Sequence, residues 1–395
     1  MTPEQTEQAA ALLLKGDFEG ALSAFGKALE EDPEDAVALL GSARAALAAR
    51  DDARARSFLL RLLLVRPNHP EGLSQLAAIR FREDGAPEAL EELRRLAARD
   101  EAQFPELYNL GVALIHAGEF EEAETALVSA RQRSPDSPHV LAQLGQLAFQ
   151  RGDTDRAIRD LSKAAELGPT EWHPLRLLAR VHVARGEHRE AKAALDLALR
   201  RFPDGPPLLL ERAQVLLGLG EPAAALEDAR ALHRAHPDHP QAAHLHGVAA
   251  LAAGQGPEAK EAFEHAIRLA PKAFEPRIAL ARLLGLAGHP GPQKHVLQEA
   301  HRLAPEAAAP ALDLSNLLLT EGTEEALQQA ADITAAALAH HPEDPGLHLN
   351  RALALRHRAP ADALPHARKA AAADLPEIAD QGRRLVALLE QASDA

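Results

Sequence analysis

"GEFEEAETALVSARQRSPDS" occupies residues 118–137, and the same phrase returns as "GDFEGALSAFGKALEEDPED" at 16–35 and "RGDTDRAIRDLSKAAELGPT" at 151–170. Each copy sets a Gly and an acid before an Ala, a second Ala seven residues later, and then a Pro. The prolines act as a ruler. Pro33, Pro67, Pro135, Pro169, Pro203, Pro237, Pro271 and Pro305 are spaced by 34 residues, or by 68 where Glu101 stands in a proline's place. A fixed period of this size is the signature of a repeat architecture, in which each unit is one supersecondary element that stacks on its neighbours.

Counting back from Pro33 places repeats at 2–35, 36–69, 70–103, 104–137, 138–171, 172–205, 206–239, 240–273 and 274–307. In this frame the eighth position is always small: Ala9, Ala43, Ala77, Gly111, Gly145, Ala179, Ala213, Gly247 and Ala281. The twentieth is Ala from Ala21 to Ala259 and fails only at Gln293. Small residues at two fixed points are expected where two antiparallel helices cross closely, because a larger side chain would hold the backbones apart. Between them lie Gly16, Gly118, Gly152, Gly186, Gly220 and Gly254, suited to the left-handed residue that ends a helix. The next residue is an acid (Asp17, Asp51, Glu119, Asp153, Glu187, Glu221), placed to cap the free N–H groups of a second helix and to meet its positive dipole end.

Helix, short turn, helix and Pro-marked turn at a 34-residue period resemble the tetratricopeptide repeat family, in the form of its bacterial multi-repeat members. The family's first-helix Trp is replaced by Leu39, Leu73, Leu107, Leu141 and Leu175, and its second-helix aromatic survives at Phe25 and Phe263, so the core stays apolar. The resemblance implies an all-α, right-handed superhelical solenoid of about eleven helix-turn-helix repeats plus a C-terminal capping helix. Nine regular repeats fill 2–307. Two irregular ones fill 308–375, the first lengthened by three residues near "EGTEEALQQAAD", the second with Pro365 expected in the first turn of its second helix. Residues 376–395 read as an amphipathic helix with Leu385, Leu388 and Leu389 on one face, fit to cap the last repeat.

Composition agrees with thin helical layers. Of 395 residues, 46% are hydrophobic but only 3% aromatic, and the net charge of −15 argues against a nucleic-acid partner. Cysteine is absent, which removes disulfides and thiolate chemistry. "MTPEQTEQAAALLLKGD" has no basic start and too short an apolar run for a leader or a spanning helix, so a cytoplasmic protein without direct membrane insertion is expected. "AAGQGPEAK" (252–260) lacks the ending of a phosphate loop and falls on an ordinary repeat turn, and no hydrolase or metalloprotease motif appears in a supporting context. The densest histidine group is His233, His236, His239, His244 and His246. With no recurring carboxylate ligand beside them, they read as solvated turn and helix-end residues, and neither a metal nor any cofactor is expected.

A non-catalytic scaffold or adaptor is therefore the expected function, with a self-assembling oligomer of repeat arrays as the alternative. The resemblance implies a concave groove lined by first helices that takes an extended peptide or a partner domain. First-helix positions 5, 9, 12 and 13 across eleven repeats give 44 residues without one acid, where about six are expected from 58 acids in 395 residues. Repeats four to six are the most polar there. The candidate peptide-binding residues are Tyr108, Asn109 and His116, then His139, Gln143, Gln146 and Gln150, then His173, Arg176 and Arg180. Amides suit an extended backbone and the arginines suit a carboxylate, so the expected ligand is an acidic or C-terminal segment. Asn109 and the two arginines echo the carboxylate-clamp members of the family, too thinly for their chaperone-tail ligand to be carried over.

Overall fold

The turn residues behave as their chemistry dictates. In a computed structural model describing residues 2–168 and 171–393, glycines at the turns inside the repeats hold the left-handed conformation, from φ 80° at Gly16 to φ 68° at Gly322. Pro169 of the proline series, and Asp394 and Ala395 of the terminal segment, lie outside the described residues. Among the described residues there are 23 α-helices and no strand. The chain divides into two units, 1–208 and 209–395.

The first unit contains α1 (Pro3–Leu14), α2 (Phe18–Glu31), α3 (Ala36–Ala48), α4 (Asp52–Val65), α5 (Pro70–Asp84), α6 (Pro87–Ala97), α7 (Phe104–Ala117), α8 (Phe120–Arg133), α9 (Pro138–Gln150), α10 (Thr154–Leu167), α11 (His173–Ala184) and α12 (His188–Arg201). The boundary falls inside α13 (Pro206–Gly218). The second unit continues with α14 (Pro222–Ala235), α15 (Pro240–Ala252), α16 (Gly256–Leu269), α17 (Glu275–Leu286), α18 (Pro290–Leu303), α19 (Ala308–Glu321), α20 (Glu324–His340), α21 (Pro345–Leu355), α22 (Pro360–Ala371) and α23 (Pro376–Ser393). Most second helices are 14 residues long, whereas α20 has 17, which is where the three additional residues of that repeat go.

Capping separates aspartate from glutamate. Asp17, Asp51 and Asp153 accept the N–H of the residue three further on, whereas Glu119 and Glu187 make no such bond. One additional methylene sends these carboxylates outward, Glu119 to Arg94 and Glu187 to His182 and Arg185.

Inside each unit the core is a seam of alanine and leucine. Every twentieth-position alanine from Ala21 to Ala259 is fully buried. Where the eighth position is glycine, a larger residue occupies the space: a Cβ on Gly111 would meet Leu127 at 2.6 Å, and one on Gly247 would meet the Phe263 ring at 2.5 Å. The exceptional Gln293 is matched in the same way, its amide lying against Gly285.

The end of the second unit departs from expectation in two places. Pro365 is the sixth residue of α22, outside its first turn, because Pro360 already starts the helix at N1. In α23 Leu385 and Leu389 are buried against Ala363, Ala367 and Ala370, but Leu388 is 53% exposed. At the crossing of α23 with α22, Gly382 lies against backbone: a Cβ there would sit 2.8 Å from the Ala370 carbonyl carbon and closer still to the Ala371 nitrogen. Two histidines tie the last repeat together. His348 donates Nε2–H to the Pro342 carbonyl at 2.9 Å, leaving its Nδ1 to accept from His366 Nδ1 at 2.7 Å. His366 Nε2 in turn accepts from Arg351, 3.1 Å away. Protonating His366 would set a second N–H against that guanidinium. Burial first, then the Arg351 charge, pulls His366 down to about 4.

Two outcomes follow. Gly382→Ala must move backbone, so a loss of about 1–3 kcal/mol is expected, read as faster amide exchange in α23. Gly26→Ala in α2, where nothing lies within 4 Å, should instead gain about 0.5–1 kcal/mol by relieving glycine's entropic cost in a helix. The pH dependence has a definite sign. The unfolded chain takes a proton on His366 near pH 6.5 and the folded chain near 4, so stability is lost as pH falls through that window. Circular dichroism melts from pH 7 to pH 4.5 should show Tm dropping on the order of 5 °C, and His366→Gln should flatten the slope. A Tm that holds or rises on acidification contradicts this.

Candidate functional site

Helices α7, α9 and α11 are the first helices of repeats four to six, all in the first unit. They carry the chain's single tyrosine and, at the N-cap of α11, its single tryptophan, both half-buried. Phe104 and Tyr108, one turn apart on α7, stack with ring centroids 5.5 Å apart and planes 10° from parallel. Tyr108 also meets the His139 ring of α9 at 6.5 Å. Trp172 and His173 are 6.1 Å apart. Burial pushes the Tyr108 hydroxyl up to about 12, opposed by its hydrogen bond with Gln143. His173 is held below the usual imidazole range, first by burial and then by the charges of Arg176, Arg50 and Arg180.

The ten residues singled out in the sequence do not share one environment. Gln143, Gln146, His173 and Arg176 are half-buried along α9 and α11. His116, His139, Gln150 and Arg180 are exposed. Arg180 forms no ion pair among the described residues. Asn109 is not on this surface: it is 8% exposed and donates its amide to Ser74 Oγ at 2.9 Å, in the seam between α5 and α7. The reason is geometric, since Asn109 follows Tyr108 on the helix and is turned about 100° from it.

Three residues of this surface escaped the positional reading: Phe104, Glu171 and Trp172. Trp172 was visible as a unique residue at a repeat start, but the others lie outside positions 5, 9, 12 and 13. Glu171 also qualifies the acid-free inner face, for its carboxylate is 3.4 Å from His139 Nδ1. Nearer the start of the chain, Arg44 at an inner position is bound by Glu71 through two contacts of 2.5 and 2.7 Å. Acids are absent from the four positions but present beside them.

The histidine group of the second unit is also different from a set of solvated residues. His236 and His239 are exposed, but His233 Nδ1 lies 2.8 Å from His246 Nδ1, and His233 Nε2 lies 3.0 Å from His265 Nδ1. His246 Nε2 reaches Glu258 at 2.7 Å. Glu258 is held down at about 2, chiefly by Arg230 and then by His246 against the opposing effect of burial. If His246 donates to the carboxylate, His246 and His233 each donate one proton and accept one and His265 donates to His233, which gives a neutral relay. The nitrogens face successive neighbours instead of a common point, and among the described residues no group of three or more His, Asp or Glu is arranged to hold a metal ion. Among those residues no helix is long and apolar enough to cross a membrane.

Comparison with known proteins follows the same lines. Two family models, each described as tetratricopeptide repeat, match the chain, one at 12–79 and 148–210, the other at 76–138 and 210–274. Together they span well over half of it. No curated protein matches the sequence. Among solved structures, yeast Tom70 is 15% identical with a TM-score of 0.54, the match covering 99% of this chain and 96% of that one. A tetratricopeptide repeat protein from Parabacteroides merdae is 17% identical with a TM-score of 0.52, covering 64% of this chain and 98% of that one. At such identities the likeness is one of fold. The 34-residue period, the paired helices crossing at small residues and the family matches together make this chain a member of the tetratricopeptide repeat family.

Proposed function

We propose that the edge of α7, α9 and α11 binds an extended peptide bearing acidic side chains or a free C-terminal carboxylate, so that this tetratricopeptide repeat scaffold gathers partners through that segment. The observation that carries the reading is the coincidence of the chain's only tyrosine and only tryptophan with an exposed arginine, Arg180, that has no ion pair among the described residues, on one surface of an acidic protein. Each part has a chemical use. Gln143, Gln146 and Gln150 can donate to and accept from a backbone of any sequence. The aromatic rings offer rigid apolar area with little entropy to lose. Arg180 can take a carboxylate through two parallel N–H bonds, which a net charge of −15 elsewhere would otherwise discourage. What the described side chains of this surface offer is hydrogen-bonding amides, aromatic area and a guanidinium, which favours binding an extended segment.

Self-assembly is a second reading with one observation in its favour. Leu60 and Leu64, one turn apart on α4, are 48% and 83% exposed. Sedimentation velocity separates the two, since a single monomeric species leaves the peptide reading alone.

The single tryptophan supplies the test. Titration of the full chain with hexaglutamate should change Trp172 fluorescence saturably, and raising the salt should weaken binding. Arg180→Glu should raise Kd about tenfold or more without changing the circular dichroism spectrum, as expected for loss of a charge-assisted bidentate contact. A Kd unchanged in that variant would contradict the reading.

A further inference from the structure

One charge sets the direction of every hydrogen bond in the histidine chain of the second unit. Glu258, ionised and bound by Arg230, can only accept, so His246 donates to it from Nε2. A neutral His246 then has its lone pair on Nδ1, which meets His233 Nδ1 at 2.8 Å, so His233 donates there. His233 is left to accept on Nε2 from His265 Nδ1, 3.0 Å away. His265 Nε2 is the open end of the chain, without a hydrogen bond among the described residues.

Three helices meet through these bonds. His233 is on α14, the second helix of repeat seven, whereas His246 and His265 are on α15 and α16, the pair that makes repeat eight. The seam between the two repeats is therefore crossed twice, with ring centroids 5.1 Å apart at each crossing.

A first added proton fits without loss. It enters at His265 Nε2, and the resulting imidazolium still donates from Nδ1; if the shared proton passes to His233, His265 accepts instead. A second has no such place. Every remaining lone pair on the three rings is already accepting, so that proton sets N–H against N–H and brings two cations together. Nearby carboxylates give little relief. Among the described residues only Glu258 meets a ring nitrogen of the chain, and it is shared with Arg230, which also holds Glu227. Arg212 of α13 is bound to Asp228 of α14, and Lys260 of α16 to Glu264. Glu261 and Arg268, one turn to either side of His265, are exposed and opposite in sign. From α17, Arg277 and Arg282 are bound to Glu299 and Asp313, while Glu275 acts on His244 of α15. The exposed Arg234, His236 and His239 add only positive charge.

We propose that this chain of imidazoles is a pH-operated latch on the seam between repeats seven and eight, closed with no proton or one added and opened by the second. The middle ring behaves accordingly: burial first, then the charges of His246 and His265, hold His233 below the usual imidazole range. In the unfolded chain it takes a proton near pH 6.5, so the stability that the latch contributes is present above that value and lost as pH falls below it.

Hydrogen–deuterium exchange of the full chain at pH 7 and pH 5, corrected for the chemical exchange rate, reads the latch locally. Amides of α14 to α16 should open about tenfold more readily at pH 5, with α8 and α10, which contain no histidine, little changed. In His233→Gln an amide can donate to His246 and accept from His265 without titrating, so the acid response of α14 to α16 should disappear. Histidine ¹³Cε1 NMR of the parent protein gives a reading independent of that variant: the three rings should titrate in two separated steps, with opening at the second. If α14 to α16 open no more than α8 and α10, if the first proton already opens them, or if the three rings titrate as independent exposed histidines, the latch is overturned. An acid response that persists unchanged in a folded His233→Gln overturns it as well.

Discussion

Two helices can cross at backbone contact only where no side chain stands between them, and this fold depends on that restriction being met at the same two points of nearly every repeat. The buried alanines at the twentieth position contribute little apolar area each; their value lies in the close approach they permit, which lets the leucines on either side interdigitate. Repeats that alter one side of the crossing alter the other. Phe263 is accommodated by Gly247, and Gln293 by Gly285.

Because each repeat spends its small and apolar residues on the crossing and the stacking seam, the edges of the first helices are released to carry other chemistry. Rare residue types gather there: Tyr108, Trp172, and the glutamines of α9. Polar side chains that do enter the seams are satisfied by a residue about one period away, as Asn109 is by Ser74 and Asn350 by Ser315, each pair 35 residues apart. Buried polar groups of this kind set the register between repeats, since an unpaired amide there would lose the hydrogen bonds that water had provided. The histidine networks of the second unit are likewise hydrogen-bonded, His233 to His246 and His265, and His348 to His366 and the Pro342 carbonyl.

The period, the helix pairs and the glycine turns were legible in the sequence because they depend on local chemistry repeated many times: φ above zero, a missing proline N–H, a space for one methyl group. What depends on direction was less legible. Position 6 differs from position 5 by one residue but faces the seam, so Asn109 was lost from the surface. A glutamate at an N-cap resembles aspartate in a pattern, yet its longer side chain leaves the helix end for an arginine. Pro365 was misplaced because Pro360 had already opened the helix. The relay from His233 to His265 joins residues 32 apart, which no local pattern reveals.

Hydrogen–deuterium exchange of the full chain, with and without saturating hexaglutamate, tests the central claim most directly. The expected result is slowed exchange concentrated in α7, α9 and α11, with α19 to α23 unchanged. Protection confined to the second unit, or spread evenly over all repeats, would contradict it.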